Sequence, residues 1–431
     1  MLPAKTSVLK IMFIGCMVIL SAVMLSACSA PPQEPSPPPQ LTEAPEEEGQ
    51  TITLITPDAQ NLDNLDSTKY QIQTRLTEFH LLSETEGLAW GVTKNELRLY
   101  VTGDNGRTWA NISPAPTVQF LANPVYGKEI FFTDKYNGWI VRSAYGKTEA
   151  IVLRTQDGGE TWKVSSLGDS NAISSIYFSS STDGWIMTTW DATSNKESKA
   201  LYATHDGGAT WTAVMQNEIY NPNNPNQAIP MAGVITGMLF KDVSNGFVTL
   251  QTGALPKQYR TKDGGNTWRS GATFLVNNRL DACDRVITGE PVFFSGSSKN
   301  GWMEVGCQMD KDSRITYHGY FTANSGETWK FAPFGFKSRT GVNRHLPPTF
   351  LDLMQGWVLD GNLLYETLDQ GRTWNELPVS TVLQTKLQEY PEVVKLQFFS
   401  AEVGWLLIEK REDRRSILLQ TTNGGVSWRV I

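Results

Sequence analysis

The sequence predicts an all-β protein: a seven-bladed β-propeller of four-stranded antiparallel blades. Three observations predict it. The phrase TQDGGETW at 155–162 returns as TGDNGRTW (102–109), THDGGATW (204–211), TKDGGNTW (261–268), TANSGETW (322–329), TLDQGRTW (367–374) and TTNGGVSW (421–428). Its tryptophans are spaced by 53, 49, 57, 61, 45 and 54 residues, a period that marks a repeat architecture rather than separate domains. A second phrase, Phe then a turn then Gly-Trp, runs in step with the first, as in FTDKYNGW (132–139), FSSSTDGW (178–185), FLDLMQGW (350–357) and FFSAEVGW (398–405). Variants are FKDVSNGF (240–247), FSGSSKNGW (294–302) and a looser FHLLSETEGLAW (79–90). Lastly, no long stretch of helical periodicity follows the apolar N-terminal run.

Residues 1–27 read as a signal peptide. Lys5 and Lys10 precede an apolar run, Ile11 to Leu25, that is short for a membrane span. The run ends in Leu25-Ser26-Ala27-Cys28, which resembles the bacterial lipobox and makes Cys28 the expected lipidation site. The alternative is an uncleaved anchor helix. Residues 28–50 hold the lipidated Cys and a Pro/Glu-rich stretch with almost no large apolar side chains. Such a stretch cannot collapse and stays extended, so it reads as a disordered tether. One acyl chain binds a bilayer only marginally, whereas lipoproteins of this type carry two or three. The expected location is therefore the extracytoplasmic face of a cell membrane.

Residues 51–431 form the predicted propeller, with repeats from about 74. TITLIT (51–56) is a candidate extra strand, expected to complete the last blade, whose own final strand after Trp428 is short. Within a unit, AISSIYF (172–178) and VVKLQFF (393–399) alternate as strands do, GWIV and GWVL are short buried runs, and EAIVLRT (149–155) leads into the Asp phrase. Ring closure removes open sheet edges.

The Asp phrase resembles the Asp-box, or BNR repeat. Its members here are Asp104, Asp157, Asp206, Asp263, Asn324, Asp369 and Asn423, with Trp109, Trp162, Trp211, Trp268, Trp329, Trp374 and Trp428. Asp or Asn accepts backbone N–H bonds in a tight turn, Gly takes positive φ, and Trp buries a large ring between sheets. Two of the seven carry Asn, which can be neither acid nor base, and one acid per box is too few for calcium. A structural turn is the reading; no metal or cofactor is expected.

In a four-strand meander the Phe…Gly-Trp turn and the Asp phrase share one face. Loops between second and third strands, and the blade connections, share the other. The longest insertions are expected there: 188–200, 216–233, 275–291, 305–318 and 334–348. Such loops usually carry binding. Cys283 and Cys307 fall on this face beside one blade, an even pair in an exported chain, and a disulfide is expected. Lys337, Arg339 and Arg344, with Arg314 nearby, make a locally basic stretch that is a candidate binding face or a solvated loop. Trp190 and Tyr220 are exposed-aromatic candidates.

The joint pattern is similar to the photosystem II stability/assembly factor propellers, over residues from about 74 to 431. The resemblance implies a non-catalytic binding scaffold beside a membrane, with a membrane or cell-envelope protein as partner. A formal charge of −7 argues against nucleic acid. A monomer is expected. Two other classes stay open. A sialidase-like glycoside hydrolase would need an arginine cluster, a Tyr nucleophile and paired acids, and no such set is legible. A carbohydrate-binding lectin could use Trp190 and Tyr220.

Overall fold

The computed structural model describes residues 52–55, 74–143, 148–193, 195–217, 228–253, 255–272, 274, 279–309, 315–338 and 346–431. Seven antiparallel sheets follow one another along the chain. Blade 3 shows the plan, with Ala172–Phe178, Gly184–Thr193, Lys196–Thr204 and Thr212–Gln216 paired in that order. The first strands of the other blades are Glu78–Leu81, Ile130–Phe132, Val234–Phe240, a broken Arg285–Thr288 and Val292–Phe293, Thr349–Phe350, and Glu392–Phe398. First strands of blades 2 and 3, 3 and 4, 6 and 7, and 7 and 1 touch, as strands around a common axis do.

The core lies between blades, and the two repeated phrases build it together. The ring of Phe178 lies on Gly184 of its own blade, where a Cβ would meet Phe178 Cε1 at 2.3 Å. The other side of Phe178 stacks on Trp139 of the preceding blade, at 3.6 Å between centroids and 10° between planes. Trp185–Phe240 (3.7 Å) and Trp357–Phe398 (3.8 Å) repeat the stack. Each such Phe also meets the box tryptophan of its own blade edge-on, as Phe240 meets Trp268 at 82°. The edge contacts suit the aromatic quadrupole and add to simple burial, while the close parallel stacks bury ring face on ring face. The Gly-Trp indole then donates into the next blade's box: Trp139 to Gly207 O, Trp185 to Gly264 O and Trp357 to Gly424 O, at 2.7–3.2 Å.

The strand Ile52–Ile55 does not complete the last blade, contrary to expectation. It pairs antiparallel with Thr161–Ser166 as a fifth strand of blade 2. That outer strand is six residues long, whereas Arg429–Val430 of blade 7 offers two. All four strands of blade 7 come from its own segment. Side chains join blade 7 to blade 1: Arg75 Nη2 to Glu409 at 2.5 Å, Lys395 Nζ to Glu78 at 3.0 Å, and Leu81 N to Gln397 Oε1 at 3.1 Å.

Three further expectations are corrected. The stretch 188–200 was expected as a loop, but its residues 188–193 and 196–200 extend the second and third strands of blade 3, with Trp190 opposite Ser198. Cys307 lies within the strand Gly301–Gln308, opposite Val286, rather than in the loop after it. A helix, Thr381–Glu389, stands between blades 6 and 7 where none was expected. The Ser380 hydroxyl caps it by accepting Leu383 N, and Leu383 and Leu387, one turn apart, are its buried face.

Candidate functional site

The seven boxes are spent on their own turns. In each, the first Thr hydroxyl accepts the N–H of the glycine four residues on, at 2.8–2.9 Å. The same hydroxyl donates to the Asp or Asn oxygen at 2.7–3.0 Å. That oxygen also accepts the N–H of the following Thr or Ser at 2.8–3.0 Å. Asn324 and Asn423 complete the ring by donating to the hydroxyls of Thr328 and Ser427. Burial pushes the five Asp carboxyls up, but these hydrogen bonds outweigh it and hold them below the usual range. An N–H at the tip of each box bonds the carbonyl of its own blade's first turn, so both turns lie on one face. Trp162, Trp268, Trp329 and Trp428 are buried, while Trp109, Trp211 and Trp374 are half-buried. Among the described residues, no group of three or more His, Cys, Asp or Glu is placed to hold a metal.

The opposite, loop-bearing face is where side chains remain available. Cys283 and Cys307 are joined as a disulfide there, their Cα atoms 5.3 Å apart. Lys199, fully buried, pins the return of the connection from blade 3 by donating to the carbonyls of Glu197, Pro230, Met231 and Gly233. Burial pushes its ammonium down to about 8 against the pull of Glu197. Of the predicted binding residues, Lys337 is exposed and Trp190 half-buried, on different blades. Arg314, Arg339, Arg344 and Tyr220 lie outside the described residues, as do Cys28, the signal peptide and the tether.

The segment after blade 1 builds two features that sequence reasoning missed. The first is a groove of about 460 Å³ between blades 1 and 2, lined by Asn95, Phe120, Leu121, Asn123, Glu129 and Arg142 among others. Its wall is held by Phe120 N to Asn95 O, Val92 N to Asn123 Oδ1, and Trp90 Nε1 to Pro124 O, at 2.7–3.0 Å. Leu121 is 65% exposed and Val125 47%. Arg142 Nε is buried with no partner among the described residues. Burial raises the Glu129 carboxyl, although Val125 N donates to it.

The second feature is the mouth of the axial channel. Blade 5's first strand is interrupted by Gly289-Glu290-Pro291, three residues set against two on the facing strand. Proline cannot donate to the ladder, and a bulge of this kind re-aims a side chain. Glu290 accordingly reaches across the axis, where a Cβ on Gly127 of the far wall would lie 3.2 Å from its Oε2. His80, Tyr126, Phe131 and Tyr177 form an aromatic run on that wall, with centroids 3.5, 5.6 and 5.2 Å apart. Beside it Glu78 accepts Lys395 Nζ at 3.0 Å and Tyr126 N at 3.3 Å. Enclosure pushes Glu290 up to about 7, with Lys395 opposing and Glu78 adding. Burial, then Lys395, holds His80 well below its usual value. The legible signal was the Gly-Glu-Pro break within a first strand.

A family model described as Sortilin-Vps10 (Sortilin, neurotensin receptor 3) matches residues 97–221. The photosystem II stability/assembly factor HCF136, chloroplastic, of Cyanidioschyzon merolae (strain NIES-3377 / 10D) is 24% identical over 355 residues, covering 70% of this chain and 73% of that protein. Among solved structures, YCF48 bound to D1 peptide is 19% identical with a TM-score of 0.46, over 82% of this chain and 95% of that one. One of two prolyl endopeptidases analysed together is 8% identical with a TM-score of 0.48, over 83% and 49%.

Proposed function

For this chain, an Asp-box β-propeller that resembles the photosystem II stability/assembly factors, we propose the role of a non-catalytic, protein-binding scaffold anchored at the extracytoplasmic face of a membrane. In this reading residues 1–27 are removed, Cys28 is lipidated, and residues 28–50 tether a monomeric body. The partner is a membrane or cell-envelope protein whose stability or assembly the propeller serves, a role taken from the name of the algal relative. The observation that carries the reading is the blade 1–2 groove: exposed Leu121 stands in it with Asn95, Asn123, Glu129 and Arg142, on a frame whose repeated carboxylates are all engaged. Apolar surface with a few convergent polar groups is the usual form of a recognition site. The strand Ile52–Ile55 supports the face assignment. Its Ile52 end pairs with Val164 and its Ile55 end with Thr161, next to the box, so the chain enters that strand from the loop-bearing side.

The test is a photo-activated cross-linker at Leu121 or, on the box face, at Tyr136, in intact cells that make the full chain. Adducts to one envelope protein from position 121 and none from 136 support the reading. Adducts from 136 alone, or from neither, contradict it.

A further inference from the structure

The channel mouth has a chemistry that the groove does not. Glu290 and the Tyr177 hydroxyl have no hydrogen bond or ion pair among the described residues. The two interact electrostatically, and burial, then Glu290, pushes Tyr177 up to about 12. Glu290 is itself solvent-exposed. The neighbouring carboxylate, Glu78, is already bonded to Lys395, so at pH 8, above the Glu290 value, the mouth carries a net negative charge beside an aromatic wall. The same wall shows how it solvates a cation: Lys395 Nζ sits 5.4 Å from the Phe79 ring centre, bonded to Glu78 and to the Phe79 carbonyl at 2.9 Å.

We propose that the axial space beside Glu290 binds a protonated primary amine, with Glu290 as counter-ion and the Tyr177 hydroxyl as a second acceptor. An ammonium brings three donors and a charge, and both acceptors are open to it. Its alkyl portion lies along the aromatic run, which attracts cations and covers apolar carbon. An anion would face Glu290 unopposed. A neutral sugar would leave the charge unmatched, and a divalent metal would lack a third protein ligand. Glycine at 127 leaves the space that the Glu290 carboxylate occupies. The amine is either a free small molecule or a lysine side chain of a protein.

The test is calorimetric titration of the full chain at pH 8 with n-butylammonium and with a short peptide carrying one internal lysine. Saturable binding that falls about tenfold or more in Glu290→Gln, and is kept in Glu304→Gln, supports the site. Tighter binding of the peptide assigns a partner's lysine; tighter binding of butylammonium assigns a free amine. Glu290→Gln keeps the side-chain shape, and its melting curve verifies folding. The absence of saturable binding for both probes in the wild-type chain, or equal binding in Glu290→Gln, overturns the proposal.

Discussion

Trp405 in the last blade donates its indole N–H to Asn105 Oδ1 in the first, at 2.9 Å. In blades 2, 3 and 6 the corresponding indole takes the carbonyl of a box glycine. At the seam that position is Asn105, held at φ 57°, and its own carbonyl is taken by the Gln420 side chain. The seam therefore uses the common interlock with a side-chain acceptor in place of a backbone one. No strand is shared across it, so these contacts carry more of the closure than their counterparts do.

Asn105→Gly keeps the backbone conformation and deletes that acceptor. It is expected to lose about 1–3 kcal/mol, the cost of a buried donor left without a partner, with earlier loss of blade 1 and blade 7 amide protection in hydrogen exchange. Uniform protection in the variant would show that the seam does not depend on the bond.

How much of this was legible in the sequence follows from how local each feature is. The bonds that close a box's own turn run only within a few residues of it, so TQDGGETW announces its turn wherever it occurs. The inter-blade stack was half visible. The Phe and Gly-Trp phrases were plain, but that Phe178 touches Trp139 needs the ring order in space. The attachment of Ile52–Ile55 depends on which outer strand is long enough to receive it, a comparison among blades. The helix Thr381–Glu389 offers only two buried apolar positions, too few for a periodic signal. The channel mouth gathers residues from blades 1, 2, 3, 5 and 7, and no local pattern joins Glu290 to Tyr177.

Asp157→Asn should leave stability close to wild type, because Asn324 and Asn423 already make the equivalent bonds. Asp157→Ala strands Thr155 Oγ1 and Thr161 N and should cost about 1–3 kcal/mol. Asp157 is held below its ordinary value. Its contribution is thus present above the unfolded value near 3.8 and lost as pH falls through the lower folded one. Thermal melts from pH 2 to 6 check both points; a steeper acid loss in the Asn variant than in wild type would contradict them.

Glu304 behaves in the opposite sense. Its carboxyl has no hydrogen bond among the described residues, its side chain fills the space that glycine leaves at 289, and burial pushes the carboxyl up to about 7 from 4.5. Between those values the folded state holds more protons than the unfolded, so Glu304 lowers stability as pH rises through the window. Glu304→Gln should stabilise the protein at pH 8 by up to roughly 3 kcal/mol and by little at pH 4. An equal effect at both values would refute the assignment.

Reduction of Cys283–Cys307, which are 24 residues apart in sequence, should destabilise blade 5 by roughly 3 kcal/mol through the released loop entropy. Melting with and without a reductant measures it. The same loss in Cys283→Ser under non-reducing conditions identifies the bridge as its source.

The division between frame and binding face is tested most directly by the affinity of the protein cross-linked at Leu121 for two variants of the full chain. Asp157→Ala should melt earlier and bind that protein as wild type does below its melting point. Leu121→Asp should melt as wild type does and lose affinity about tenfold or more. The reverse pattern, binding lost in Asp157→Ala with melting unchanged and kept in Leu121→Asp, would place recognition in the boxes and contradict this description.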